Sequence, residues 1–255
     1  MSFDYISTQE AMRRGGLRMV VMGKVPSPWG EAVKGFLHLK RIPWSAVRLA
    51  YDDEALKRWA GELSAPVVFY ENEAPRTGWA ETLMLTERLA PEPALLPLDP
   101  PTRAEALLLC EKFCAPGGLG WMRRLQNVHA GLMKSGGFSE RVAGYLGRKY
   151  GYDPAQAGSY GQRVRELLRE LGAALRSKRD AGPYYLGARL SAIDVYSAAF
   201  MGIFCPLPEL QCMMEPSIRA AFEYLDDDTA KALDPVLLEH RDMMYARHLE
   251  LPLSL

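Results

Sequence analysis

The chain has 255 residues, is 48% hydrophobic, and carries 31 basic against 31 acidic side chains. That length allows one large domain or two modest ones, each with a core. The balanced charge, without a long like-charge run, argues against nucleic acid or an anionic membrane as partner. No apolar run reaches the roughly 18 residues that a membrane span needs.

Residues 1–16 are polar, end in Arg13-Arg14-Gly15-Gly16, and read as an N-terminal extension. They lack the basic-then-apolar order of a signal peptide. Residues 17–23 form a short apolar run closed by glycine, the pattern of a buried strand. In the next segment Val33, Phe36, Leu37 and Lys40 fall at helical spacing. Pro28 suits its first turn, where a missing N–H costs nothing. Residues 44–50 read as a second strand, and 52–63 as a helix with acids in its first turn. Residues 65–79 read as two short strands around a polar Glu71–Glu73 turn, and 80–89 as a helix. Residues 90–101 hold five prolines in twelve positions, which stops both helix and sheet.

Beyond that linker the pattern is helical over about 102–114, 119–134, 138–150, 154–178, 191–204, 216–225 and 227–248. The expected organisation is an extension (1–16), an α/β domain (17–90), a proline-rich linker (91–101) and an all-α domain (102–255). The four cysteines, Cys110, Cys114, Cys205 and Cys212, match no zinc-binding spacing and suit a reducing cytoplasm. The four histidines form no metal motif, so no metal is expected.

Four segments, in this order, resemble the cytosolic glutathione transferases. They are Ser27-Pro28-Trp29-Gly30-Glu31-Ala32-Val33, Ser64-Ala65-Pro66-Val67-Val68-Phe69, the helix from Ala80 to Leu89, and Tyr185 to Tyr196. The resemblance spans about residues 17–250. It implies a thioredoxin-like α/β N-terminal domain followed by an all-α C-terminal domain, usually in a homodimer. It also implies an enzyme that uses glutathione as co-substrate against a small apolar electrophile. A glutathione-dependent isomerase, an ether-cleaving lyase and a non-catalytic binding protein remain open on the same scaffold.

The resemblance gives Ser27 the catalytic position. A free thiol titrates near 8.5, so little of it is thiolate at neutral pH. A hydroxyl donor at a helix N-terminus stabilises the anion. The plainer reading of Ser27 is a helix N-cap. Pro66, an ordinary turn proline by composition, becomes by resemblance the second residue of a cis peptide. The Ala65 backbone would then pair with the cysteinyl unit of glutathione as an added strand does. By the same resemblance Glu81 faces the γ-glutamyl ammonium and Thr82, with the free N–H groups of its helix start, holds the α-carboxylate. The bland reading of that pair is a first-turn preference. Trp29 is the remaining candidate for substrate contact. Leu107, Cys110, Phe113, Cys114 and Trp121 either face a cleft between the domains or form a core stripe. Ser191 and Asp194 read as a structural capping box.

Overall fold

The computed structural model describes residues 4–61 and 63–255. The chain opens with helix α1 (Thr8–Arg13), where the Ser7 hydroxyl accepts from the Glu10 N–H at 3.1 Å. This stretch, expected as an extension, belongs to the domain as far as it is described; residues 1–3 lie outside the described part. Ile6 forms a parallel bridge with Val47, and Ala11 is fully buried. Two small apolar contacts in a polar string are too sparse to show as periodicity.

Strand β1 (Leu17–Val21) leads to α2 (Pro28–Leu39), β2 (Trp44–Arg48), α3 (Glu54–Ala60), β3 (Val67–Tyr70) and α4 (Trp79–Leu89). β1 is central, parallel to β2 and antiparallel to β3. Alternation along β1 divides the sheet into two faces. Leu17, Met19 and Val21 pack with Val33 and Leu37 of α2 and Leu85 of α4. Val20 packs on the opposite face with Ala11 of α1 and with Leu56 and Ala60 of α3. Of the helix expected over 52–63, Glu62 lies outside the described residues, and the assigned helix stops before Gly61, which adopts φ 76°. The fourth expected strand shrinks to one bridge, in which Val68 and Arg76 exchange N–H···O bonds of 2.9 Å. Pro75, beside that bridge, holds φ at about −65°, away from the extended strand value.

The helical half comprises α5 (Pro100–Cys114), α6 (Leu119–Leu132), α7 (Glu140–Tyr150), α8 (Ala157–Arg176), α9 (Ala192–Met201), α10 (Pro216–Glu223), α11 (Asp227–Ala232) and α12 (Pro235–Arg247). A single 3₁₀ turn, Pro154–Gln156, precedes α8. The helix expected over 227–248 is two helices, because Asp234 caps a new start and Pro235 occupies its first position. α9 is buried along its whole length. Asp194, 0% exposed, accepts from the Ser191 N–H (2.8 Å) and hydroxyl (2.7 Å) and from the Tyr185 N–H (3.0 Å). His240 of α12 lies 3.0 Å away through Nε2. The capping box is therefore an internal anchor, as its spacing indicated.

The two halves share one core. Ala32 and Phe36 of α2 and Leu83 of α4 join the same buried cluster as α5, α8 and α9. Arg123 of α6 is buried within the helical half. Its guanidinium donates to Gln126 and to the carbonyls of Ile203, Phe222 and Tyr224, and stacks 4.9 Å from Phe204. Burial pulls its pKa down to about 9, with Asp226 opposing. Among the described residues, no helix is long and apolar enough to cross a membrane.

Candidate functional site

The loop after β1 turns at Lys24, which takes φ 57° and accepts from the Glu215 N–H at 2.9 Å. That bond ties the loop to the helical half and fixes where α2 begins. Ser27 is the N-cap residue, and Pro28 fills the first helical position. The Ser27 carbonyl accepts from the Glu31 N–H at 2.8 Å, but its side chain makes no capping hydrogen bond. Ser27 is 9% exposed, so its hydroxyl stands at the positive end of a twelve-residue helix without serving it.

The Ala65–Pro66 peptide is cis. Both residues line a narrow cleft with Ser27 and Gly30. In the same cleft, Glu31 and Lys34 form an ion pair of 2.6 Å with side chains 7% and 10% exposed. Burial pushes the Glu31 carboxyl above its ordinary range, and Lys34 opposes the shift. Neighbouring charges that largely cancel do little to repel an anion at the helix start.

Ala65 and Pro66 also belong to a second, larger cavity of about 360 Å³. Trp29, Trp121 and Tyr150 supply its aromatic wall. Ser64, Thr77 and Lys149 supply polar groups. Residues 64–77 come from the sheet half and 121–150 from the helical half, so the cavity lies between them. Lys149 spans it, donating to the Ser64 hydroxyl at 3.1 Å.

Trp29, on α2 of the sheet half, is held by the helical half. Its indole N–H donates to the Cys114 carbonyl at 3.0 Å, and its ring meets Phe200 edge-on at 5.0 Å. The break at residues 115–118 has a physical role here: ending α5 at Cys114 leaves that carbonyl without a helical partner, and Trp29 satisfies it. Gly120 makes room for the arrangement, because an added Cβ would stand 2.3 Å from Phe200 and 3.0 Å from Trp29.

The start of α4 differs from the expectation. The N-cap is Gly78, so Glu81 and Thr82 sit at the third and fourth helical positions. Thr82 is 2% exposed and its hydroxyl donates to the Trp79 carbonyl at 2.9 Å. That hydroxyl is committed inside the helix. Glu81 is exposed and folds back to accept from the Gly78 N–H at 3.3 Å. The residue that lines the cavity at this helix entrance is Thr77.

The structure therefore brings Ser27, Trp29, Ala65 and Pro66 together around two adjoining hollows and places Thr82 away from them. Trp121 lines the larger cavity, whereas Cys110, Phe113 and Cys114 lie in the core. Thr77, Lys149 and Tyr150 were not singled out from the sequence. Thr77 had one available signal, its place just before a helix start. Lys149 and Tyr150 close an ordinary amphipathic helix, with nothing local to mark them.

No family model matches this sequence, and no curated protein matches it. Solved structures do. A glutathione S-transferase of Methylobacterium radiotolerans, in complex with glutathione sulfonate, matches with a TM-score of 0.59 at 18% identity, covering 91% of each chain. Glutathione transferase Omega 3C of Trametes versicolor matches with a TM-score of 0.52 at 19% identity, over 94% of this chain and 93% of that one. A bacterial Zeta-class maleyl pyruvate isomerase matches with a TM-score of 0.51 at 18% identity, over 86% and 98%. What the chain shares with them is the fold, a thioredoxin-like α/β domain followed by an all-α domain.

Proposed function

We propose that this chain, built on the fold of the glutathione transferases, is a glutathione-using enzyme of the serine type. The observation that carries the reading is the Ser27 side chain. It sits at the start of α2 without capping it, in the same cleft as the cis Ala65–Pro66 peptide. A hydroxyl so placed is free to donate to a thiolate, and a charge-assisted bond of that kind is worth roughly 1.5–3 kcal/mol. The helix end adds about 0.3–1 kcal/mol. Their sum meets the roughly 2.7 kcal/mol that lowers a thiol pKa by two units.

In this reading glutathione lies along the sheet half. The Ala65 backbone pairs with its cysteinyl unit, Glu81 faces its ammonium, and the first-turn N–H groups of α4 hold its α-carboxylate with Thr77 in place of Thr82. The thiolate attacks a small electrophile with an apolar body held against Trp29 and Trp121. Its electron pair forms the S–C bond, the leaving group departs with the pair it shared with carbon, and the thiol proton passes to solvent. Proximity and thiolate activation supply the rate. The wider expectations belong to the same reading: a cytoplasmic homodimer acting in detoxification, with no metal.

The test is binding to immobilised glutathione together with turnover of a generic aryl halide. Retention and turnover uphold the reading. Folded protein showing neither makes the chain a binding module on a shared scaffold. A second reading, glutathione-dependent isomerisation, draws on the likeness to the Zeta-class isomerase fold. It predicts substrate consumed with no loss of glutathione. Light scattering that gives a monomer mass across micromolar concentrations would remove the homodimer.

A further inference from the structure

The larger cavity has a charge pattern that the transferase reading leaves unused. One cation, Lys149, lines its helical wall, and a second, Arg124, packs against two of its rings. Lys149 reaches Ser64 across the cleft, with its Nζ 6.0 Å from the centroid of the Tyr150 ring. Arg124 lies between two of the wall's rings, 4.9 Å from Trp29 and 4.8 Å from Tyr150, and also donates to the Tyr150 hydroxyl. No acidic residue lines the cavity, and among the described residues no carboxylate pairs with either cation. Several other cations in this chain do have acidic partners, as in the Lys112–Glu170, Arg163–Glu166 and Arg176–Asp234 pairs. A solvent-exposed ammonium lining a cleft, beside aromatic faces that a half-buried guanidinium contacts, is complementary to a flat anion.

The rings define the body of that anion. Trp121 meets Tyr150 edge-on at 4.7 Å and 78°, which makes a corner rather than an open sheet of aromatics. The hollow of about 360 Å³ is also lined by Ala65 and Thr77, which the transferase reading gives to glutathione, so the space left beside the tryptophans is small. Such a corner suits one planar ring, its face on the tryptophans and its charged edge toward Lys149.

We propose that the second substrate is a single-ring aromatic or conjugated electrophile bearing a carboxylate, and that Lys149 selects for the carboxylate while Trp29 and Trp121 hold the ring. The orientation of the reaction rests on the transferase reading, which puts the thiolate beside Ser27 and Pro66. The anion site itself does not rest on it, and the experiment keeps the two apart.

Two aryl chlorides of matched shape, 4-chloro-3-nitrobenzoate and 4-chloro-3-nitrobenzamide, serve as probes. In each, the glutathione sulfur bonds to the ring carbon, the C–Cl bond breaks, and chloride leaves with the electron pair. The wild-type protein should give the larger kcat/KM with the benzoate, and the preference should fall as salt rises. Lys149→Met should lower the benzoate-to-benzamide ratio at least tenfold, and Lys149→Arg should restore most of it. An unchanged ratio in Lys149→Met overturns the proposal. So does a loss that falls equally on both chlorides and appears as weaker glutathione affinity in calorimetry, since Lys149 would then serve a glutathione carboxylate. If neither chloride reacts with the wild-type protein, the transferase reading fails. The unreactive 3-nitrobenzoate and 3-nitrobenzamide then decide the site by quenching of tryptophan fluorescence. Tighter, Lys149-dependent binding of the acid upholds the proposal, and equal binding of the two overturns it.

Discussion

At the scale of single residues, the side chain with most at stake is Ser27. A serine at an N-cap normally contributes about 1 kcal/mol by accepting from the first turn, and replacing it by alanine costs about 0.5–2 kcal/mol. Ser27 makes no such bond. Ser27→Ala should therefore cost less than about 0.5 kcal/mol in denaturant unfolding, below the usual capping range. The pKa of bound glutathione thiol should rise by about one to two units, the worth of one hydroxyl–thiolate bond. Ultraviolet difference titration of the two proteins with glutathione bound measures this directly, and superimposable titrations would take the chemistry away from Ser27. The two threonines near α4 separate in the same manner. Thr77 lines the cavity, and Thr82 bonds within its own helix. Thr77→Val should weaken glutathione binding by roughly 1–3 kcal/mol, the worth of a bond to a charged group. Thr82→Val should lower stability by about 1 kcal/mol through its lost hydrogen bond. Calorimetry and thermal unfolding on both variants distinguish the assignment, and a reversed pattern would return the binding role to Thr82.

At the scale of elements, caps decide where the helices of the sheet half begin and how they meet. Asp53 caps α3, accepting from the N–H groups of Ala55 and Leu56 at 2.9 Å each. Its other oxygen accepts from the Thr8 hydroxyl at 2.6 Å, which ties α1 to α3. The Thr8 bond is the largest of several effects that lower the Asp53 pKa. A carboxyl whose folded pKa is depressed adds stability above its unfolded value, near 3.9, and loses it as pH falls through the folded value. Asp53→Ala should then be less stable by about 1 kcal/mol at pH 7. The gap between variant and wild type should close below about pH 4. Parallel stability curves at pH 7 and pH 3 would show that the carboxylate charge is irrelevant to this junction. The fourth strand is reduced to one bridge, where Arg76 pairs with Val68 beyond the turn that Glu71 makes at φ 45°.

At the scale of the molecule, the shared core backs the cleft and encloses three of the four cysteines. Trp29 rests on Phe200, and Phe200 on Phe113, so the wall of the cavity is continuous with the interior. Cys110 and Cys114 share that interior, and burial raises both thiols well above their ordinary range; Cys212 is raised to about 11. All four cysteines are free, and Cys205 is the half-buried one. A thiolate reagent at pH 8 should therefore modify at most one cysteine per chain in the native protein and four after denaturation. Fast native modification of Cys110 or Cys114, read by peptide mass mapping, would mean that α5 opens toward the cleft.

Local rules reached most of the elements and the core of the site. Apolar runs gave the three strands, and a hydroxyl before proline gave the start of α2, because each depends on residues adjacent in the chain; Pro100 and Pro101, read as linker, instead open α5. The capping box at Ser191 and Asp194 was legible for the same reason. What sequence could not supply was position across the chain. Thr82 reads like a helix start, yet Gly78 caps α4, because the turn before it is set by the bridge from Val68 to Arg76. The opening residues read as an extension, yet Ile6 and Ala11 find the edge and face of a sheet built later in the chain. Lys149 and Tyr150 carry no local signal at all. They reach Ser64 and the cavity because the helices of the second half pack against the first and share its core, and packing between distant segments is a property of the tertiary structure alone.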